Sequence, residues 1–282
     1  MTLRECLRLA ISRLDASHVP SPRLNAERLL MFVLDRDRAY LYAHPERELT
    51  ADELARYDSA LAQRSTGIPA QYITGHQEFW GMDLIVTPAV LIPRPETEHV
   101  VETVLQLERM KKSAGPCRIA DVGTGSGCIA LALAKEVPNA ELYATDISSA
   151  ALEIAATNAA RLQLQGRICF RQTDLLDGLE KGSFDFIVSN PPYVGEAEAD
   201  TVQLEVRRFE PRQAVFAGPT GLEVIERLVP QARDALHSGG WLVMEISGTI
   251  KEGVEKLLTG WNELQISNDL QGIPRVAAAR KP

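Results

Sequence analysis

Between Arg118 and Ile246 short apolar runs alternate with amphipathic stretches, and this alternation limits the possible folds more than any other feature of the chain. Runs of strand length lie near Arg118 to Val122, Glu141 to Asp146, Ile168 to Gln172, Phe184 to Ser189 and Gly240 to Ile246. Helical periodicity fills Cys128 to Glu136, Ser149 to Leu162 and Leu222 to Leu236, and another helix near Glu96 to Met110 precedes the first strand. Strands and helices in that order predict an α/β fold, a doubly wound and mainly parallel sheet with helices on both faces.

The first seventy residues follow a different rule. Leu3, Cys6, Leu7, Ala10, Ile11 and Leu14 share one helical face, and Thr2 with Glu5 forms a capping-box pattern. Ser21 and Pro22 mark a second start, as N-cap and first helical position, and Thr50 with Glu53 repeats the capping box before Gly67 and Pro69 stop the helix. Residues 1–70 are therefore expected to form a small all-helical domain. Residues 71–95, with Phe79, Trp80 and Leu84 around Gly81 and prolines at 88, 93 and 95, read as a β-hairpin linker. The α/β domain then occupies residues 96–282.

Charge narrows the partners. Thirty Lys and Arg against thirty-eight Asp and Glu leave −8, which disfavours stable binding to nucleic acid. Residues 1–70 carry ten arginines, ten acids and no lysine, so the whole excess lies in the rest of the chain. Cys6, Cys117, Cys128 and Cys169 are scattered, without metal-ligand spacing, and each is expected to be a buried small apolar residue. The N-terminal residues are too polar for a signal peptide, and no stretch approaches the ~18 apolar residues of a membrane span. A cytoplasmic monomer without metal and without membrane contact is expected.

The segment Asp121-Val122-Gly123-Thr124-Gly125-Ser126-Gly127-Cys128 falls between a predicted strand and a predicted helix. Ligands of open parallel sheets bind at the carboxyl ends of strands, where glycines let the backbone approach them. Asp146 ends the next strand, and a carboxylate there can accept from ribose hydroxyls. A dinucleotide fingerprint would need glycine or alanine at Cys128, and a P-loop would need Gly-Lys-Ser or Gly-Lys-Thr. The loop suits a ligand with a nucleoside but no polyphosphate, and S-adenosylmethionine fits that description.

Phe184 to Ser189 ends in Asn190-Pro191-Pro192-Tyr193. Two prolines after a strand hold the turn rigid and leave carbonyls free. The Asn190 side-chain carbonyl and the Pro191 carbonyl offer two fixed acceptors to the two hydrogens of a planar NH2 group, and Tyr193 offers an aromatic wall.

Together these motifs resemble the class I S-adenosylmethionine-dependent methyltransferases that alkylate planar nitrogens. Gln71-Tyr72-Ile73-Thr74-Gly75, Glu78-Phe79-Trp80-Gly81, Leu91-Ile92-Pro93-Arg94-Pro95-Glu96-Thr97-Glu98, Glu210-Pro211-Arg212 and Gly272-Ile273-Pro274-Arg275 are similar to the release factor glutamine methyltransferases. The resemblance implies a Rossmann-like methyltransferase sheet and a helical N-terminal domain that docks the substrate. It implies transfer of a methyl group to the side-chain amide nitrogen of the Gly-Gly-Gln glutamine in peptide chain release factors, leaving S-adenosylhomocysteine. It assigns Gly123, Thr124, Gly125, Ser126 and Gly127 to the methionine part of the cofactor, Asp146 to its ribose, and Asp174 with Leu175 to the adenine side. Asn190, Pro191, Pro192 and Tyr193 are the implied catalytic and substrate-binding turn, with Asn190 also next to the cofactor. Two departures stand out: Leu175 where relatives can have an aromatic residue, and Glu245-Ile246-Ser247 where relatives tend to have a glycine. Glu96 and Glu98 read as acids in a solvated first helical turn. The alternatives are a ribosomal protein glutamine, or an exocyclic base amine of DNA or RNA, since both present the same planar NH2 group.

Overall fold

The computed structural model describes residues 1–110 and 115–282, which form two units. The first comprises Met1–His76 together with Gln203–Phe209. Its helices are α1 (Leu3–Ala16), α2 (Pro22–Leu34), α3 (Arg38–Ala43), α4 (Ala51–Ser65) and α5 (Ala70–Thr74). Both capping boxes form: Glu5 N–H donates to Thr2 Oγ1 at 3.3 Å while Thr2 N–H donates to Glu5 Oε2 at 2.9 Å, and Thr50 with Glu53 does the same on α4. Ser21 occupies the N-cap of α2 as expected, but in the left-handed region with φ 50°, and its hydroxyl makes no cap. The side chain of Asn25 ties that turn instead, donating to Pro20 O at 2.8 Å and to Ser21 O. Leu3, Leu14, Leu29, Leu30 and Tyr57 fill the core of this unit.

Arg64 is the polar centre of the helical unit, with its side chain only 2% exposed. Its guanidinium donates to Asn25 Oδ1 at 2.8 Å, to Ile68 O at 3.0 Å and to Glu205 Oε2 at 2.6 Å. A buried guanidinium needs such a full set of acceptors. Glu205 lies 141 positions further on, and its pairing with Arg64 holds the segment Gln203–Phe209 within the first unit.

The second unit spans Gln77–Val202 and Glu210–Pro282. It opens with the hairpin β1 (His76–Phe79) and β2 (Met82–Ile85), followed by a 3-10 turn Pro95–Thr97 and α6 (Glu98–Arg109). The alternation follows as read: β3 (Arg118–Val122), α7 (Cys128–Glu136), β4 (Glu141–Asp146), α8 (Ser149–Arg161), β5 (Ile168–Gln172) and β6 (Phe184–Ser189). Short elements come next: β7 (Val194–Gly195) and, after the Gln203–Phe209 segment that gives α9 (Leu204–Phe209) to the first unit, α10 (Arg212–Val215) and β8 (Phe216–Gly218). The unit ends with α11 (Glu223–Ala235), β9 (Leu236–Glu245), α12 (Lys251–Leu257), β10 (Asn262–Asn268) and β11 (Pro274–Arg280).

Seven strands form one sheet in the order β10-β11-β9-β6-β3-β4-β5. The five from β9 to β5 are parallel, and β11 and β10 add on antiparallel. Alternate residues face opposite layers. Ile119, Phe186 and Val243 pack under α6, α7 and α8, whereas Ala120, Ile187 and Leu242 pack under α11 and α12. The central strand β6 is buried at every residue, including Asp185 and Ser189, and its Phe184, Phe186, Ile187 and Val188 give the run its apolar reading. Edge strand β10 is exposed almost throughout and polar in composition. On the opposite edge Cys169 of β5 is exposed, contrary to the expectation for all four cysteines, because only one face of that strand is covered at its position. Among the described residues no helix is long and apolar enough to cross a membrane.

The hairpin read as a linker is built into the second unit, with Phe79, Met82 and Leu84 in the core under α6 to α8. Trp80 and Gly81 make its two-residue turn at φ 53° and 66°, the left-handed pair such turns require. Glu98 accepts from Trp80 N–H at 2.8 Å, so this acid anchors the turn and is not merely solvated. Asn158 of α8 clasps the other end: it accepts from Ile85 N–H at 2.7 Å and donates to Ile85 O at 3.0 Å and to Ser126 O at 2.9 Å. Asn158→Ala would strand these backbone groups away from water. Urea unfolding is expected to show a loss of about 3 kcal/mol, several times that of an exposed helical Asn.

Candidate active site

In the second unit a cavity of about 320 Å³ lies at the carboxyl ends of β3, β4 and β6. Gly123, Thr124, Gly125 and Ser126 line it, as do Asp146, Asp174, Leu175, Asn190 and Pro192. Gly127, Pro191 and Tyr193 stand outside the lining. Thr97, Ile147, Pro211 and Arg227 contribute walls that sequence reasoning did not assign.

The glycine loop is bent around two acceptors. Gly123 N–H and Thr124 N–H both donate to Thr145 O at 2.9 Å, and Gly125 N–H donates to Asp146 Oδ2 at 2.9 Å. Gly123 and Gly125 have φ 71° and 56°, and a Cβ built on either would meet nothing within 4 Å, so there is open space beside the loop. Gly127 has another function: its Cβ would lie 3.1 Å from that of Ala155, so this glycine lets α7 start against α8. The three glycines share a motif, but two open space and one permits packing.

Asp121, one residue before the end of β3, is fully buried. Its Oδ2 accepts from Thr124 Oγ1 at 2.7 Å and from Ala130 N–H at 3.1 Å, fixing the loop to the first turn of α7. Its Oδ1 has no hydrogen-bond partner. Burial pushes the carboxyl up to about 7, and the nearby Asp146 charge adds to the rise. Asp146 is also raised by burial, against the N–H bonds it receives from Ser148 and Gly125. Each Asp146 oxygen takes one of those bonds, at 2.9 Å in both cases, and so retains a lone pair for a ligand hydroxyl.

Asp174 and Leu175 follow β5. The Asp174 carboxylate is ion-paired with Arg227 of α11, and both residues line the cavity. Leu175 holds φ 53°, costly for a bulky residue, and Thr145 Oγ1 donates to its carbonyl at 2.8 Å. Across the cavity Glu210, with its side chain 1% exposed, accepts from Ile92 N–H at 3.0 Å and pairs with Arg94. That clamp fixes the Leu91–Arg94 wall and engages Arg94 in an internal pair.

Beyond β6, Asn190 Nδ2 donates to Thr97 Oγ1 at 3.0 Å. Thr97 Oγ1 donates to Glu245 Oε2 at 2.6 Å, and Tyr193 O–H donates to Glu245 Oε1 at 2.9 Å. Thr97 and Glu245 are each 1% exposed. Burial raises the Glu245 carboxyl, opposed by the two hydroxyls and by Arg275. Burial and the Glu245 charge hold the Tyr193 phenol well above its ordinary range. With Nδ2 engaged, Asn190 has its side-chain oxygen free to accept.

The titration of Asp121 leads to a pH dependence. The folded chain keeps this proton up to about pH 7, whereas the unfolded chain releases it near 3.8, so ionisation costs the native state stability as pH rises between those values. Asp121→Asn has no such proton to lose and retains an acceptor for Thr124 and Ala130. Thermal melts are expected to show the variant gaining on the parent between about pH 4 and about pH 7 and holding that gain above. A difference that does not change with pH would contradict the assignment.

Two family models match the sequence: the PrmC N-terminal domain over residues 5–75 and the methyltransferase small domain over residues 101–209. A release factor glutamine methyltransferase of Koribacter versatilis is 56% identical over 283 residues, covering 100% of this chain and 99% of the relative. Those of Moorella thermoacetica and Escherichia coli are 46% and 40% identical, covering 91% and 99% of this chain and 89% and 99% of the relatives. Among solved structures, the hMettl16 catalytic domain in complex with MAT2A 3′UTR hairpin 6 superposes with a TM-score of 0.57 at 16% identity, over 81% of each chain, a likeness of fold alone. The mainly parallel sheet is thus a Rossmann-like methyltransferase sheet, and with full-length identity of this level the chain belongs to the release factor glutamine methyltransferase family.

Proposed function

We propose that this chain transfers the methyl group of S-adenosylmethionine to the side-chain amide nitrogen (N5) of the glutamine in the Gly-Gly-Gln motif of peptide chain release factors. The observation that carries the reading is Asn190, which lines the same cavity as the glycine loop and Asp146 and has its side-chain oxygen free to accept. Relatives that match over the whole chain bear the name of this activity, which supports the substrate.

The cavity suits the cofactor. Gly123 to Ser126 run beside its methionine part, with open space where a side chain of Gly123 or Gly125 would stand. Asp146 accepts from the ribose hydroxyls through its remaining lone pairs. Leu175 and Ile147 give the adenine an apolar contact, and Asp174, steadied by Arg227, faces its polar edge. When bound, the cofactor supplies an electrophilic methyl group on a sulfonium.

The residues of the turn must then overcome a poor nucleophile. An amide nitrogen has its lone pair delocalised into the carbonyl, and no side chain at the turn is basic enough to deprotonate it. Asn190 Oδ1 and the Pro191 carbonyl accept the two amide hydrogens and aim the nitrogen. Orientation of this kind can contribute ~7 to 11 kcal/mol. The same two acceptors favour the positive charge that develops on nitrogen. Pro192 keeps the turn rigid and Tyr193 flanks the planar group. Residues 1–70, the larger part of the helical unit, dock the release factor, and the second unit carries the catalytic residues.

The test is methyl transfer from labelled S-adenosylmethionine to purified release factor and to its Gly-Gly-Ala variant, with ribosomal protein, DNA and ribosomal RNA as controls. Label is expected on the wild-type factor alone, on the glutamine side chain by fragment mass spectrometry. Label in nucleic acid or ribosomal protein and none in the factor rejects the substrate. Asn190→Ala should lower kcat by at least about 100-fold with an unchanged melting curve. Near wild-type turnover would remove the mechanism.

A further inference from the structure

The Asn190 side chain is useful in only one of its two orientations. With its oxygen toward the cavity it accepts from an NH2 group; rotated by half a turn it would present hydrogens to hydrogens. Thr97 and Glu245 decide between the two. Glu245 accepts at both of its oxygens, so the hydroxyl hydrogens of Thr97 and Tyr193 both point at it. Thr97 has one hydrogen, and with that committed at 2.6 Å its oxygen can only accept from Asn190. Asn190 must then direct Nδ2 to Thr97, at 3.0 Å, and Oδ1 the other way. Thr97 and Glu245 are buried, so water does not compete for these positions.

We propose that Thr97 and Glu245 are positioning residues, forming a one-way hydrogen-bond chain that fixes the Asn190 oxygen, and the hydroxyl of Tyr193, for the amide to be methylated. The proposal rests on the reading of Asn190 as the residue that grips that amide. No cation is hydrogen-bonded to the buried Glu245 among the described residues; Arg275 on the adjacent strand is paired with Asp269 at 2.9 Å. Among the described residues two hydroxyls are therefore the only side-chain hydrogen-bond donors to Glu245, with Arg275 acting through its charge alone, a poor arrangement for stability and a good one for imposing polarity. The chain also strengthens the acceptor, because electron density drawn toward Asn190 Nδ2 by successive bonds accumulates on Oδ1. A glutamine at position 245 could donate to Thr97, which would then donate to Asn190 and turn its NH2 group toward the cavity.

The test compares the full chain with Thr97→Val, Thr97→Ser, Glu245→Gln and Asn190→Ala, using labelled S-adenosylmethionine and intact release factor. Thr97→Val and Glu245→Gln should lower kcat about 100-fold while KM for both substrates stays within about threefold. Thr97→Ser keeps the hydroxyl and should recover most of kcat. Melting curves and S-adenosylhomocysteine affinity should be alike for the two Thr97 variants, which separates lost orientation from lost fold. Wild-type kcat in Thr97→Val, equal impairment in Thr97→Ser, or a defect confined to KM would overturn the proposal. If Asn190→Ala is inactive while Thr97→Val is fully active, only the positioning chain fails. If Asn190→Ala is itself fully active, the underlying reading of Asn190 fails.

Discussion

Thr145, Val122, Ser189 and Met244 stand in one row across the sheet, paired neighbour to neighbour through β4, β3, β6 and β9. The next residue of each strand is Asp146, Gly123, Asn190 or Glu245, so ladder pairing brings all four to one edge. No loop conformation has to gather them. Glycine and proline then end two of the strands at this row: Gly123 turns away through a positive φ, and Pro191 has no N–H to extend the ladder. A slip of one residue in any strand would exchange the faces of its side chains and displace its member of the set. The register of the sheet is therefore the constraint on which the cavity depends, and the two apolar layers that bury alternate residues enforce it.

Two buried carboxylates serve this edge in different ways. Asp121 ties the glycine loop to the start of α7, and its free oxygen leaves it only partly compensated. Glu245 receives two hydroxyls and lies at the end of β9 next to the turn after β6.

Much of this was legible in the residues, and the reasons differ from element to element. Strands β3, β4 and β6 are legible to the residue because their neighbours cover them and each run is bounded by glycine or a polar residue. The capping boxes are local, and a pattern three residues long contains everything needed to form them. Thr97 and Glu245 were missed as site residues because their partnership spans 148 positions. Glu245 falls inside the strand expected from Gly240 to Ile246, and only the distant hydroxyls show what its buried carboxyl holds. Cys169 failed for the converse reason, since an edge position looks like any other in sequence. Ser21 reads as a cap by type, yet Asn25 makes the bonds. The short helix Leu204–Phe209 has too few residues for periodicity, and its anchoring ion pair lies far away in sequence.

That helix changes what counts as a module in this chain. The polypeptide passes between the two units after His76, again after Val202 and again after Phe209. The helical unit is therefore discontinuous in sequence, and a cut at the first crossing would separate Arg64 from the Glu205 that neutralises it. Exchange of this unit among relatives, in the laboratory or in evolution, has to move two segments together. Recombination at a single point would leave one chimera with a buried guanidinium facing a foreign partner.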